Sequence, residues 1–530
     1  MAYRDLREWI ARLDKSGELK RIRVEVDPNL EMAEIADRAA KMGKGTAQSG
    51  GPALLFEKVK GYPSARVLMN QFGSERRMQM AMETDSLDKI AGRIETLLKP
   101  QMPSGLLDKL KMLPMLAEIG SFFPKVIDRR GAPCKEVIHT GKDIKLSEIP
   151  VLKTWPGDAG NFITLPLVIT RDPKSGKRNT GMYRMQVYDD RTTGMHWQRQ
   201  KNAAEQLRDR LRASASTGAE RVNLMAMTSG GTVAAGDKAA SLPGVTLSKI
   251  RGDRMEVAVA IGTDPAMTFS AIVPAPPEIE EYLIAGFLRQ SPVELVKCET
   301  NSLEVPANAE YILEGYVELG ELRSEGPFGD HTGFYTMPEE YPVFHLTAIT
   351  HRKNPIYAAT VVGKPPMEDA WLAKAVERIF LPLIRLTMPE IVDINLPPEG
   401  VAHNLMLISI RKSYAGHARK VMSGIWALGQ AMFTKCIVVV DEDCDVQDVG
   451  EVVLRVANNI DPERDIQFTL GPVDSLDHAS RLPNFGSKMG IDATRKWPAE
   501  GFTRPWPEML VMPADVKARV DAMWEKLGIS

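Results

Sequence analysis

The run Cys436-Ile437-Val438-Val439-Val440, closing in Asp441-Glu442-Asp443, decides the fold of the last third of the chain. An unbroken apolar run of this length, with no polar alternation, reads as a strand buried on both faces. Leu405 to Ile410 reads as a second apolar strand, and Ala415 to Phe433 as a helix between the two. Val446 to Asn458 reads as the helix that follows. Strand, helix, strand, helix from about residue 355 onward predicts an α/β domain with a mostly parallel sheet, assigned to residues 351–505. Beyond it, in the tail 506–530, Pro513 to Leu527 reads as a final amphipathic helix suited to docking on another subunit.

The middle of the chain has a different character. Leu165 to Thr170, Gly181 to Tyr188, Met255 to Ile261, Phe269 to Val273, Ala309 to Leu319 and Val343 to Thr350 are β-rich and punctuated by Gly, Pro and Asp. They predict a largely antiparallel sheet or small barrel over residues 121–350. Ser214 to Leu247, rich in Ala, Ser, Gly and Thr, reads as an insertion at about 214–247. At the start, Arg4 to Ser16 reads as a helix, Asn29 as the cap of a second helix reaching Met42, and Ala53 to Phe56 and Arg66 to Met69 as strands. Asp85 to Lys99 reads as another helix, and Pro103 to Pro124 as a connecting helix that closes an N-terminal α/β domain over residues 1–120.

Composition narrows the function classes. A chain of 530 residues exceeds one core and predicts about two to four domains. Lys+Arg 67 against Asp+Glu 69 gives a net charge of -2, which argues against nucleic acid or an anionic membrane as the main partner. The N-terminus has no signal-peptide core, and no apolar stretch is long enough to span a bilayer. Cys134, Cys298, Cys436 and Cys444 are scattered, so neither a disulfide framework nor a cysteine zinc site is suggested, and a cytoplasmic location is expected.

The chemistry concentrates in Glu325-Gly326-Pro327-Phe328-Gly329-Asp330-His331-Thr332-Gly333. Gly and Pro make this a rigid loop, one that sets two carboxylates in fixed relation. Paired carboxylates can push each other's pKa values apart and divide the work of acid and base, or they can be two solvated acids in a surface turn. A second segment runs Asn179-Thr180-Gly181-Met182-Tyr183-Arg184-Met185-Gln186, followed by His196-Trp197-Gln198-Arg199-Gln200-Lys201. Arg184 either points inward, where it needs an anionic partner, or lies on a solvated strand face.

These segments resemble the UbiD family of prenylated-FMN-dependent aromatic-acid decarboxylases, over nearly the whole chain to about Trp497. The resemblance is carried by Asn179 to Gln186, Val296 to Pro306, Glu325 to Gly333 and Lys364-Pro365-Pro366. Ser413 to Ala418 and Gly486 to Asp492 carry it further along the chain. It implies an α/β multidomain fold with a central split-barrel flavin-binding domain. The implied activity is that of a carboxy-lyase acting reversibly on an aromatic or heteroaromatic acid. Loss of CO₂ from an sp² carbon leaves a carbanion that side chains cannot stabilise, and the modified flavin supplies the electron sink.

The resemblance also implies individual roles. Arg184, Glu325 and Asp330 match the catalytic network, with Asp330 as proton donor and Glu325 as its ionised neighbour. The donor role requires a site dry enough to keep Asp330 protonated part of the time. Met182, Tyr183, Arg184, His196, Trp197, Gln198, Gln200, Lys201 and Asn202 match cofactor-contacting positions. Asn179 and Glu281 match the ligands of a Mn²⁺ or Mg²⁺ ion that bridges to the cofactor phosphate, and a K⁺ ion is implied as well. The implied partners are a flavin prenyltransferase and further copies of the chain, as dimer or hexamer. Relatives carry His where this chain has Gln200, and Gly where it has Asn202 and Ala203. A non-catalytic flavin-binding subunit and a carboxylase remain the alternative readings.

Overall fold

The computed structural model describes residues 3–43, 49–98, 117–197, 202–214, 254–275 and 279–529. The sequence pattern reappears as sheets of three kinds. Leu19–Ile22, Ala53–Phe56, Arg66–Met69 and Ile356–Ala358 form the first, in that order. Its outer pairs are parallel and its central pair antiparallel. The fourth strand comes from far downstream, so residues beyond the central sheet complete the N-terminal one. The helices Leu6–Lys15 and Leu87–Leu98 turn apolar stripes onto the same core, which also takes Leu372, Ala375 and Ile379 from the long helix Glu368–Thr387.

The central sheet is antiparallel throughout and seven-stranded. Tyr311–Glu325 and Glu339–His351 form its axis, Arg254–Ile261 and Leu167–Arg171 lie to one side, and Arg178–Met182 closes that edge. The last sheet holds Ile391–Asn395, Leu405–Ile410, Cys436–Asp441, Phe485–Asp492 and Ile466–Pro472. Its two inner pairs are parallel and both edge pairs antiparallel, so the parallel core predicted from the Cys436 run is present but flanked by reversed strands. Cys436–Asp441 is covered by His417–Trp426 on one face and Val449–Asn459 on the other, which is why it carries no polar alternation.

Several local expectations are corrected. Asn29 does not cap the second helix, which runs Glu31–Ala40 behind Leu30 at φ 72 with no side-chain cap. The Asn29 amide instead donates to Asp27 Oδ1 at 2.8 Å. Phe269 to Val273 is not a strand, because Asp264 accepts from the Met267 amide and Pro265 starts the helix Pro265–Ser270. The predicted strand from Gly181 to Tyr188 is broken at Tyr183 and Arg184. Arg178–Met182 belongs to the central sheet, whereas Met185–Gln186 pairs with Phe162–Ile163. The tail forms the short helix Ala514–Asp521 with no buried residue. Most of Pro103 to Pro124, and the insertion at 214–247 apart from Ser214 at a helix end, lie outside the described residues.

Candidate active site

The break at Arg184 places its side chain where the chain leaves the central sheet. The loop after Glu325 rises from the end of the longest strand of that sheet. The two meet. Arg184 Nε and Nη2 donate to Glu325 Oε1 at 3.1 and 3.0 Å, and Nη1 is bonded to Asp330 Oδ2. Nη2 also donates to Thr336 Oγ1 at 3.1 Å, and the guanidinium lies 4.5 Å from the centroid of the Phe328 ring. Glu325 is 1 % exposed and Asp330 7 %, so both carboxylates are out of bulk water and one guanidinium serves both.

The two acids have different second partners. His196 Nδ1 lies 2.7 Å from Glu325 Oε2, with its ring against Tyr341 at 4.3 Å between centroids. Burial would raise the Glu325 carboxyl, but His196 and Arg184 outweigh it and hold it below the usual carboxylate range. Asp330 Oδ1 takes the backbone amide of His331 and sits against His331 Nδ1, both at 2.7 Å. Burial would raise Asp330 too, but Arg184 and His331 hold it far below its ordinary value. Glu325 is therefore ionised as expected. The expectation of a partly protonated Asp330 is not met in this arrangement, because two cationic neighbours stabilise its charged form.

A loop that sequence reasoning missed holds these acids in place. Asp158 Oδ2 accepts from the Thr154 and Trp155 amides at 3.1 and 2.8 Å, and Oδ1 accepts from the Gly329 amide at 2.8 Å. The Ala159 amide donates to the Pro327 carbonyl at 2.9 Å, and the Tyr335 hydroxyl accepts from the Gly157 amide at 3.0 Å. Trp155 lies between two glycines: a Cβ at Gly329 would stand 2.2 Å from its Cδ1, and one at Gly363 2.6 Å from its Cζ2. Gly326, at φ 92, makes the turn out of the strand, a backbone region that favours glycine. The Trp155-Pro156-Gly157-Asp158 run carries the same Pro/Gly punctuation as the acid loop, and that signal could have found it.

Glu281 reaches the edge strand that carries Asn179. Glu281 opens the helix Glu281–Arg289, and its Oε2 accepts from the Thr180 amide at 2.8 Å, beside Asn179. It is 5 % exposed, and among the described residues no cationic side chain pairs with it. Burial pushes its carboxyl up to about 7. Tyr183 is packed against Asn179 and Glu281, and burial raises its hydroxyl to about 12. A buried carboxylate on the strand edge that carries an asparagine is chemically suited to a hard divalent cation. Among the described residues no group of three His, Cys, Asp or Glu forms a metal cluster of its own.

The remaining cofactor expectations divide. Met182 lies at the end of its strand, with its side chain against the core. His196 Nε2 and Trp197 Nε1 are buried with no hydrogen-bond partner among the described residues, as groups waiting for a polar ligand would be. Gln198, Gln200 and Lys201 lie outside the described residues, and Asn202 is placed only as the first residue of the helix Asn202–Ser214.

The arrangement has known counterparts. Residues 125–243 and 215–365 match the 3-octaprenyl-4-hydroxybenzoate carboxy-lyase Rift-related domain, and residues 10–94 and 370–493 the N-terminal and C-terminal domains of the same enzyme class. The chain belongs to the UbiD family. An uncharacterized protein of Archaeoglobus fulgidus is 51% identical over 528 residues, 99% of each chain. Among solved UbiD structures, the closed form of Sedimentibacter hydroxybenzoicus vanillic acid decarboxylase superimposes with a TM-score of 0.80 at 27% identity, covering 99% of both chains. The UbiD-class enzyme HmfF of Pelotomaculum thermopropionicum, in complex with FMN, gives a TM-score of 0.73 at 29% identity, covering 97% of this chain and 98% of its own. An evolved dimeric form of HmfF has been solved with prFMN. The fold and the class of carboxy-lyases are therefore those of UbiD decarboxylases. Among the described residues no helix is long and apolar enough to cross a membrane.

Proposed function

We propose that this chain decarboxylates an aromatic or heteroaromatic carboxylic acid, reversibly in principle, with prenylated FMN bound along the Met182–Arg184 segment. The observation that carries the reading is the single buried guanidinium of Arg184 shared by Glu325 and Asp330. Such a network orients a carboxylate substrate and holds a proton route at fixed geometry.

Bound there, the prenylated flavin supplies the electron sink for the carbanion left by CO₂. Asn179 and Glu281 would hold a Mn²⁺ or Mg²⁺ ion, which would supply positive charge for an anionic cofactor group, and His196 Nε2 and Trp197 Nε1 offer buried polar contacts. Arg184 orients the acid network and the substrate carboxylate. Glu325 holds the Arg184 guanidinium and the His196 ring in place. Asp330 delivers the proton that replaces CO₂. Gln198, Gln200, Lys201 and Asn202 extend the cofactor contact, and K⁺ completes the ion set.

The working units are taken as residues 1–120, 121–350, 351–505 and the tail 506–530, with Ile356–Ala358 and the helix Glu368–Thr387 reaching back to the N-terminal sheet and core. The tail leaves Leu510, Val511, Met512 and Trp524 exposed, which supports a homo-oligomer.

Protein purified from cells that co-express a flavin prenyltransferase tests this. With Mn²⁺, K⁺ and a panel of aryl and heteroaryl acids in D₂O, one or more acids should release CO₂ and yield product deuterated at the vacated carbon. Absence of both from every acid overturns the reading.

A further inference from the structure

Asp330 stands between two cationic groups, yet the reaction consumes one proton at each turnover. The hydrogen bonds around His331 indicate where that proton waits. His331 Nδ1 is 2.7 Å from Asp330 Oδ1, and His331 Nε2 is 3.0 Å from His403 Nε2. His403 Nδ1 is in turn 3.2 Å from Asn404 Oδ1. The Asn404 oxygen only accepts, so His403 carries its hydrogen on Nδ1 and presents a lone pair at Nε2. That lone pair requires a hydrogen on His331 Nε2. The Asp330 carboxylate likewise requires a hydrogen on His331 Nδ1. Both ring nitrogens of His331 are thus donors, which makes it an imidazolium.

We infer that His331, held by His403, stores the proton that replaces CO₂ and passes it through Asp330 to the product carbon. The inference rests on the reading of Asp330 as the donor. The His331 Nδ1–H bond breaks as an Asp330 O–H bond forms. That O–H bond then breaks as the new C–H bond forms, using the electron pair left by the departing CO₂. His331 ends neutral and Asp330 again ionised, and a proton from water recharges Nδ1. The His331 side chain is 22% exposed against 9% for Asp330, so the store is more open to water than the donor.

Two further features support this. Asp369 and Asp474 act on His331 together with Asp330, and His403 also feels Asp474 and Asp330. The cationic group on this side is Arg184, bonded to Asp330, and the Lys364 backbone packs on Gly333. Burial would lower the His331 imidazole, but Asp330 outweighs it and raises it to about 9. His403 is presented by Val401 and Ala402, at φ 45 and 63, consecutive non-glycine residues in the left-handed region. Such strain is maintained where the surrounding structure imposes it, and it clusters at functional sites.

His331 does not touch the reacting carbon, so it is a positioning and proton-storing residue. Two measurements test it. In the full chain without cofactor, ¹³C-labelled histidine NMR should show His331 titrating near 9, falling toward the ordinary 6.5 in Asp330→Asn and falling also in His403→Asn. In the loaded enzyme, His331→Asn should lower kcat about 10²-fold. It should also abolish the loss of kcat/KM on the alkaline side, and added imidazole should restore part of the rate. His331→Gln serves as a second variant if the first folds poorly. A His331 resonance titrating near 6.5 overturns the inference, as does an unchanged alkaline limb in an active His331 variant. A wild-type enzyme that releases no CO₂ overturns the proposed function instead, and the NMR titration still decides the proton store.

Discussion

Arg184 meets Glu325 through one oxygen: Nε at 3.1 Å and Nη2 at 3.0 Å both end on Oε1. The other Glu325 oxygen is thereby left to His196, and Nη1 of the guanidinium to Asp330. Nε and Nη2 share one carboxylate oxygen, Nη2 reaches Thr336 Oγ1 as well, and Nη1 serves the second carboxylate. Arg184→Lys should fail here although the charge is kept, because an ammonium cannot span both carboxylates. Arg184→Met should be worse, leaving two buried acids without a cation. We expect a loss of about 3–5 kcal/mol in urea-unfolding stability for Arg184→Met, and decarboxylation below detection for both variants.

Glu325→Gln keeps the shape but removes the charge that faces His196 and Arg184. The amide can accept from Arg184 but offers only a neutral partner to Arg184 and to the His196 ring. Activity should fall by about 10²–10⁴-fold with the flavin still bound. Kinetics beside the flavin absorbance of the purified variant separate the two effects. Equal losses of activity and of bound flavin would show that Glu325 serves folding instead.

Asp158 and Trp155 should matter although neither touches substrate. Asp158→Asn replaces an acceptor of the Gly329 amide and of two loop amides with a group of which one end only donates. A cost of about 1–3 kcal/mol is expected. Gly329→Ala drives a methyl group to 2.2 Å from Trp155, so the acid loop or the indole must move. Thermal unfolding and kcat should both drop in Gly329→Ala. The double variant Gly329→Ala/Trp155→Ala should recover stability before it recovers rate, because only the clash has been relieved.

Glu281 ties the proposed metal site to pH. Its carboxyl is raised by burial from 4.5 to about 7, so the folded state holds a proton that the unfolded state has released. Stability from this group is fully present below about pH 4.5 and lost as pH rises through about 7. Glu368, also raised by burial to about 7, acts in the same direction. Cofactor-free protein should therefore lose stability across that window. Mn²⁺ with FMN should restore it, seen as a rise in Tm at pH 7.5. Glu281→Gln should flatten part of the pH slope and abolish the Mn²⁺ response, while the contribution of Glu368 stays.

Much of this was legible in sequence. Ala53–Phe56 and Arg66–Met69 stand where predicted, and so does the Cys436 strand, because short apolar runs bounded by turn residues mark buried strands. The acid loop was legible through its Gly and Pro residues. Arg184 was ambiguous, since a strand pattern does not show where the strand stops. Phe269 to Val273 was misread because an apolar run in a core helix looks like a strand, and Asp264-Pro265 was the cap signal that distinguishes them. His331 stood in the quoted loop without a role. His403 could not be found at all, since only tertiary folding brings residues 72 positions apart to 3.0 Å.

Ile356–Ala358 pairs with Arg66–Leu68. On the ribosome, Met69 emerges long before Ala358. At about 5–20 residues per second, tens of seconds pass before the waiting strand meets its neighbour. During that time the newborn N-terminal sheet carries a bare edge, open to pairing with other chains. The first domain to be made is thus among the last to be finished. A fragment ending before residue 350 should misassemble where the complete chain does not, seen as aggregation in size-exclusion chromatography.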